Sequence, residues 1–207
     1  MPRLAARAVT ATVAQNLHAQ ARVALAGPFW QIAQGGFQDL SLRTGAFTYQ
    51  GYRLQALSLA WRNGRIDLSS LVGGQLRVLR AGRLTLAVTL DQASLRADLA
   101  KGLQGALPSG AAGAPPTVAI APGGITLDGS VTFLGLPVRY RIDGDLVLQR
   151  GGQVLAFQTR DFNDSVLHLP ALPVLRMSTL PRIEGLPLHI ASVRLLRGAL
   201  ALTLAGP

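Results

Sequence analysis

The chain has 207 residues, 49% of them hydrophobic, which is enough to bury a sizeable core in one domain. It has no cysteine, which excludes a disulfide scaffold and any cysteine-based metal site or nucleophile. Lys101 is the sole lysine among 20 basic residues, the rest being arginine, and against 10 acidic residues they leave a formal net charge of +10. Part of that charge solubilises. The remainder suits an anionic partner, whether lipid head groups, an anionic membrane surface or nucleic acid. Only 5% of residues are aromatic, so the apolar surface is aliphatic and fits alkyl chains better than bases or sugars.

Residues 1–24 read as an N-terminal helix, because Leu4, Ala8, Ala11 and Leu17 recur at helical spacing. They carry no apolar core of a signal peptide. From Phe37 onward the period is two: Phe47-x-Tyr49, Leu57-x-Leu59-x-Trp61, Ile66-x-Leu68, Leu76-x-Val78 and Leu84-x-Leu86-x-Val88-x-Leu90. That is the pattern of strands with one dry and one wet face. Asn63-Gly64, Gly73-Gly74 and Ala81-Gly82 supply turns between them. One interior helix is predicted after Asp91 or Ser94, with Leu95, Leu99 and Leu103 on one face, Asp98 and Lys101 facing out, and Gly102 or Gly105 at its end.

Residues 107–116 combine Pro, Gly and Ala and read as a flexible loop. Leu103 to Leu127 is uncharged but broken by Pro108, Pro115, Pro116 and Pro122, so it does not read as a membrane span. Strands then resume at Val118-x-Ile120, Ile125-x-Leu127, Val131-x-Phe133, Val138-x-Tyr140-x-Ile142, Leu146-x-Leu148 and Val154 to Phe157. Asp143-Gly144 and Gly151-Gly152 read as hairpin turns. A proline-punctuated stretch from Leu169 to Pro181 precedes two closing strands, at Leu188 to Leu195 and Leu200 to Leu204. Many strands thus present an aliphatic face, while only two helices are available to cover them. The faces either bury one another in a sandwich or curve around something else apolar.

Little in the sequence supports catalysis. His18, His168 and His189 are far apart and lack metal-ligand spacing, so neither a metal nor a catalytic residue is expected. Asp143 and Asp145 flank a glycine, where aspartate serves turn chemistry, and Asp161 and Asp164 read as loop residues. No nucleophile elbow, phosphate loop or dinucleotide fingerprint occurs. The arginines are spread along the strands without base-stacking aromatics, which disfavours nucleic acid.

The segment Ala26 to Gly45 contains Gly27, Pro28 and Phe29, then an amphipathic stretch to Gly36, Phe37 and the strand Leu40-x-Leu42. With the strand-then-helix passage Leu84 to Leu95, the element Gly185-Leu-Pro187 and the closing Arg197-Gly-Ala-Leu-Ala-Leu202, it resembles the LmeA-like phospholipid-binding family of bacterial cell-envelope proteins. The resemblance spans Val23 to Leu204 and rests on the order of its motifs. It implies a mostly-β (α+β) fold, an elongated and strongly curved antiparallel sheet around an apolar groove or channel, as one lipid-binding domain over 25–207. It also implies a phospholipid or other acyl lipid as partner, no cofactor, and a periplasmic or envelope location.

On that reading, Leu57, Leu59, Leu84, Leu86, Phe133 and Tyr140 are candidates to line the groove. Phe29, Trp30 and Phe37 are candidates for its entrance, with ordinary core packing as the alternative. Arg43, Arg53 and Arg62 are candidates to meet a phosphate. The rival functions are a structural envelope protein with a filled sandwich core and a basic nucleic-acid binder.

Overall fold

The structure is a computed structural model that describes residues 20–49, 51–72, 77–106, 112–133, 135–162, 172–176 and 187–206. Two antiparallel sheets dominate. The first has seven strands: β1 (Ala21–Ala26), β2 (Asp39–Thr44), β4 (Tyr52–Arg62), β7 (Arg83–Asp91), β15 (Ala199–Ala205) and β14 (His189–Leu196) in that spatial order, with β3 (Phe47–Tyr49) added on β4. The second runs β13 (Leu172–Arg176), β12 (Val154–Phe162), β11 (Leu136–Gln149), β10 (Gly124–Phe133) and β8 (Ala112–Gly113), with β9 (Thr117–Ala121) also on β10. A small ribbon, β5 (Arg65–Ile66) with β6 (Val78–Arg80), stands apart. Three helices complete the described chain: α1 (Phe29–Ala33), α2 (Leu68–Val72) and α3 (Gln92–Ala106).

Alternation builds the inner face of the first sheet. Leu84, Leu86, Val88 and Leu90 of β7 are all buried, and their odd-numbered neighbours face outward. In β4 a bulge at Gln55 resets the register, so that Leu54 shares a face with Leu57 and Trp61 despite the odd spacing. Helix α3 contributes Leu95, Leu99 and Leu103 to the same core and packs across β13, β9, β7 and β4. The second sheet adds Val118, Ile120, Ile125, Leu127, Ile142 and Phe157 to that one continuous cluster. Backbone bonds tie the sheets at their margins: Gly198 N–H donates to the Ile120 carbonyl at 3.1 Å, and Ile190 N–H to the Gly152 carbonyl at 2.9 Å.

Several sequence expectations change here. Ala21–Ala26 is a strand rather than the end of an N-terminal helix, because its alternating Val23 and Leu25 pair in register with Leu42 and Leu40. Residues 1–19 of that expected helix lie outside the described residues. Leu68 opens α2 instead of extending a strand: the Asp67 carboxylate accepts the Ser69 N–H at 3.0 Å and the Ser69 and Ser70 hydroxyls at 2.6 and 3.0 Å, capping the turn. These hydroxyl bonds hold the Asp67 carboxyl below its ordinary range.

Asp91 caps α3 through the Ala93 N–H at 3.0 Å, but the helix runs through Gly102 and Gly105 to Ala106. Burial of Leu99 and Leu103 outweighs a glycine cost of about 1 kcal/mol each. Asp98 does not face away; it accepts the Tyr52 hydroxyl at 2.8 Å, while Lys101 is exposed. Within the expected loop, Ala112–Gly113 pairs with β10, and 107–111 lie outside the described residues.

Asp143-Gly144 is no hairpin turn. The strand β11 continues through it with a register shift, and Gly144 is absent from the left-handed conformations that Gly151 (φ 63°) and Gly152 (φ 81°) adopt in the true turn. Gly144 is needed for space: a β-carbon there would stand 2.6 Å from the Phe157 ring. The turn at Gly73-Gly74, Leu76, and most of 169–181 lie outside the described residues. The exception is β13, whose Pro173 sits on an edge strand beside a register shift, the kind of place where sheets accept proline.

Candidate functional site

The inner face of the first sheet can be followed across its strands in rows set by the register. One row runs Leu25, Leu40, Trp61, Leu84. The next runs Val23, Leu42, Leu59, Leu86, Leu204, Ile190, and the third runs Ala21, Thr44, Leu57, Val88, Leu202, Val193. In the middle row burial is nearly complete at Ile190, Leu204 and Leu86, then falls away: Leu59, Leu42 and Val23 are only half-buried, as is Leu25 beside them. The face is therefore continuous, but its cover thins toward β1. The result is an aliphatic strip of Val23, Leu25, Leu42 and Leu59, flush with the core and half open to solvent.

One polar atom breaks this face. Thr44 is 8% exposed, lies on the inner side of β2, and its hydroxyl has no hydrogen-bond partner among the described residues. An unbonded buried hydroxyl costs about 1–3 kcal/mol.

The structure sorts the sequence-derived candidates. It brings Leu57, Leu59, Leu84 and Leu86 onto one face, with Leu59 directly opposite Leu86; Leu57, Leu84 and Leu86 are fully inside the core, and Leu59 alone borders the strip. Tyr140 belongs to the same core from the second sheet, its ring lying over Gly129. Phe133 ends β10, and its side chain lies outside the described part.

Phe29 and Trp30 are exposed, at 62% and 65%. Phe37 parts from them: it is 1% exposed and stacks edge-on against Trp61 with ring centroids 5.0 Å apart, over Gly64. Core packing, the alternative for this residue, is what its surroundings show. The three arginines are not brought together. Arg53 and Arg62 stand nine residues apart on β4, about 30 Å along the strand. Arg62 pairs with Asp39 at 3.2 Å, Arg53 approaches Asp91 at 4.0 Å, and Arg43 faces Arg22 across the outer side of β1 and β2.

Sequence reasoning missed Val23 and Leu25 as site residues because Ala21–Ala26 is equally regular at helical spacing. The period-two alternation Arg22-Val-Ala-Leu25 was the available signal.

Other chemistry is sparse. No group of three or more metal-ligating side chains is found among the described residues, and His189 is exposed on β14. On the second sheet, Gly123, Gly124, Thr126, Asp143 and Arg160 line a surface depression of about 330 Å³. Its charged groups are already engaged. Arg160 donates to the Gly123 carbonyl at 2.8 Å and to Asp145 at 2.9 Å, while the Thr126 hydroxyl and Arg141 hold the Asp143 carboxyl below its ordinary range.

Burial pushes the Tyr140 phenol above the ordinary tyrosine range. Since the fold favours its neutral form, its contribution to stability is intact below the ordinary tyrosine range and is lost as the pH rises through the raised value. In an absorbance titration of the folded protein, one phenol should ionise late, and Tyr140→Phe should remove that late phase. A late phase that persists in the variant would reassign it.

Fold and strip together define a mostly-β protein that presents a half-covered aliphatic surface continuous with its core. A family model described as LmeA-like phospholipid-binding matches residues 2–205, and the chain belongs to that family. Comparisons with curated proteins and with solved structures returned no match. No helix among the described residues is long and apolar enough to cross a membrane.

Proposed function

We propose that the protein holds one phospholipid by its acyl chains along Val23, Leu25, Leu42 and Leu59 and ferries it within a bacterial cell envelope, without catalysing a reaction. The observation that carries this reading is the strip itself: an inner face built like the core, in register with it, and left half open over three adjacent strands toward β1. Each covered methylene contributes about 0.8 kcal/mol, so ten would supply about 8 kcal/mol, the free energy of a micromolar complex before association costs. Membership of a phospholipid-binding family supports the ligand class. The family resemblance supports the envelope location.

One polar feature fits a glycerophospholipid. The Thr44 hydroxyl would donate to an ester carbonyl as the chains leave the strip. Thr44→Val removes the orphan hydroxyl, so the lipid-free protein should gain about 1 kcal/mol of stability while retaining lipid less tightly. Loss of stability, or unchanged retention, would remove Thr44 from the site.

Native mass spectrometry with solvent extraction of the purified protein tests the reading as a whole. A stoichiometric phospholipid is expected. A clean lipid-free mass that takes up no added phospholipid would overturn the proposal and leave a sandwich that only packs on itself.

A further inference from the structure

One end of the first sheet gathers features that the acyl-chain strip does not use. Helix α1 fills the connection from β1 to β2, and the ribbon β5–β6 and helix α2 lie against it. Ile66 N–H donates to the Gly35 carbonyl at 2.9 Å, Gly36 bridges Arg65, and Arg65 Nε donates to the Gln34 carbonyl at 3.2 Å. A β-carbon on Gly35 would stand 3.4 Å from the Leu68 side chain, so α1 and α2 are immediate neighbours.

This tip exposes apolar surface that nothing among the described residues covers: Phe29 at 62%, Trp30 at 65%, Leu79 at 53% and Leu68 at 39%. Four of the seven large exposed hydrophobics among the described residues are thus here. Isolated exposed apolar residues need no explanation, but four on short neighbouring elements at one end of the sheet do.

Its charge is one-sided. Arg65 and Arg80 face each other across the ribbon, and Arg77 and Arg83 adjoin its two ends. None of the four has a carboxylate partner among the described residues. The two nearby carboxylates are already engaged, Asp39 by Arg62 and Asp67 by its serines. Aromatic and leucine side chains surrounded by uncompensated arginines match a lipid–water interface. The rings sit at head-group depth and the guanidinium groups meet phosphates, each basic residue adding to the attraction near an anionic surface.

We propose that the tip formed by α1, α2 and the β5–β6 ribbon docks the protein on an anionic phospholipid bilayer. The inference extends the lipid-carrier reading but rests on different residues, so the two can fail separately.

The chain's two tryptophans make the test direct. Trp61 is 3% exposed, packed on Phe37 and bonded through Nε1 to the Ala81 carbonyl, so its environment is already dry. Trp30 is the reporter. With vesicles of phosphatidylcholine and phosphatidylglycerol, emission should shift to the blue and be quenched by brominated acyl chains, and added salt should weaken the effect.

Phe29→Ser with Trp30→Phe retains a ring at one position and should bind measurably. Phe29→Ser with Trp30→Ser should reduce vesicle co-sedimentation more than about tenfold, and Arg65→Glu with Arg80→Glu should do the same. Leu42→Asp with Leu59→Asp should dock normally while carrying no extracted lipid. The docking proposal is overturned if vesicles produce no shift, if neutral vesicles bind as well as anionic ones, or if the aromatic variant instead splits a dimer. Unmutated protein that docks, yet carries no extracted lipid and takes none up, would sink the carrier reading alone.

Discussion

Replacing Leu42 and Leu59 together by aspartate is expected to strip the purified protein of bound phospholipid without unfolding it. The two side chains are direct cross-strand partners, and both are half-buried. Carboxylates there can reach water in the lipid-free protein. Covered by acyl chains they could not. Leaving either charged and unpaired under alkyl chains costs several kcal/mol, and even about 3 kcal/mol is more than a hundredfold in affinity. Phosphorus analysis of extracted protein, beside circular dichroism of the same sample, reads both halves of the expectation. Folded protein with its lipid undiminished would show that the acyl chains lie elsewhere.

The second large effect concerns the scaffold that holds this face in place. Leu99 is wholly buried on α3 between Leu95 and Leu103, and the helix spans elements of both sheets. Leu99→Ala should therefore cost about 2–5 kcal/mol. With a urea dependence of about 2 kcal/mol per molar, the unfolding midpoint should fall by about 1–2.5 M. Lys101→Ala, two residues away on the exposed side of the same helix, should change stability by less than about 0.5 kcal/mol. Equal effects for the two would mean that the Leu99 face of α3 does not pack into the core.

The strands were legible wherever a long alternation met a partner of the same kind. Leu86 to Leu90 and Leu200 to Leu204 are such cases, and they pair residue for residue. Legibility failed where one residue type serves two physical ends. Gly144 has the composition of a turn, yet it lies in a continuous strand because the Phe157 ring occupies the place of its side chain. Ala21–Ala26 satisfies both helix and strand periods, and only pairing with Leu40 and Leu42, a tertiary fact, decides between them. Phe37 shares its sequence neighbourhood with Phe29 and Trp30, which leaves entrance and core packing both open, and only the slot at Gly64 that takes its ring decides between them.

The candidate site was legible in part for the same reason. Alternation placed Leu57, Leu59, Leu84 and Leu86 on one face correctly, but it carries no information about how far along that face the cover extends. The half-open strip begins at Leu59, directly opposite Leu86, and runs out to the β1 edge, and its position depends on which elements pack over each row. The arginines show the converse. Arg53 and Arg62 share an outward-facing strand, and distance along that strand, invisible in a list of basic residues, keeps them from serving one phosphate.

Crosslinking with a phospholipid that carries a photoreactive diazirine in its acyl chain tests the central claim most directly. After irradiation and digestion, labels should fall on Val23, Leu25, Leu42 and Leu59, while Leu84 and Leu200, wholly buried in the same sheet, stay unlabelled. Labels confined to the outer face of the sheet, or spread evenly over the protein, would contradict the assignment of the strip as the seat of the lipid.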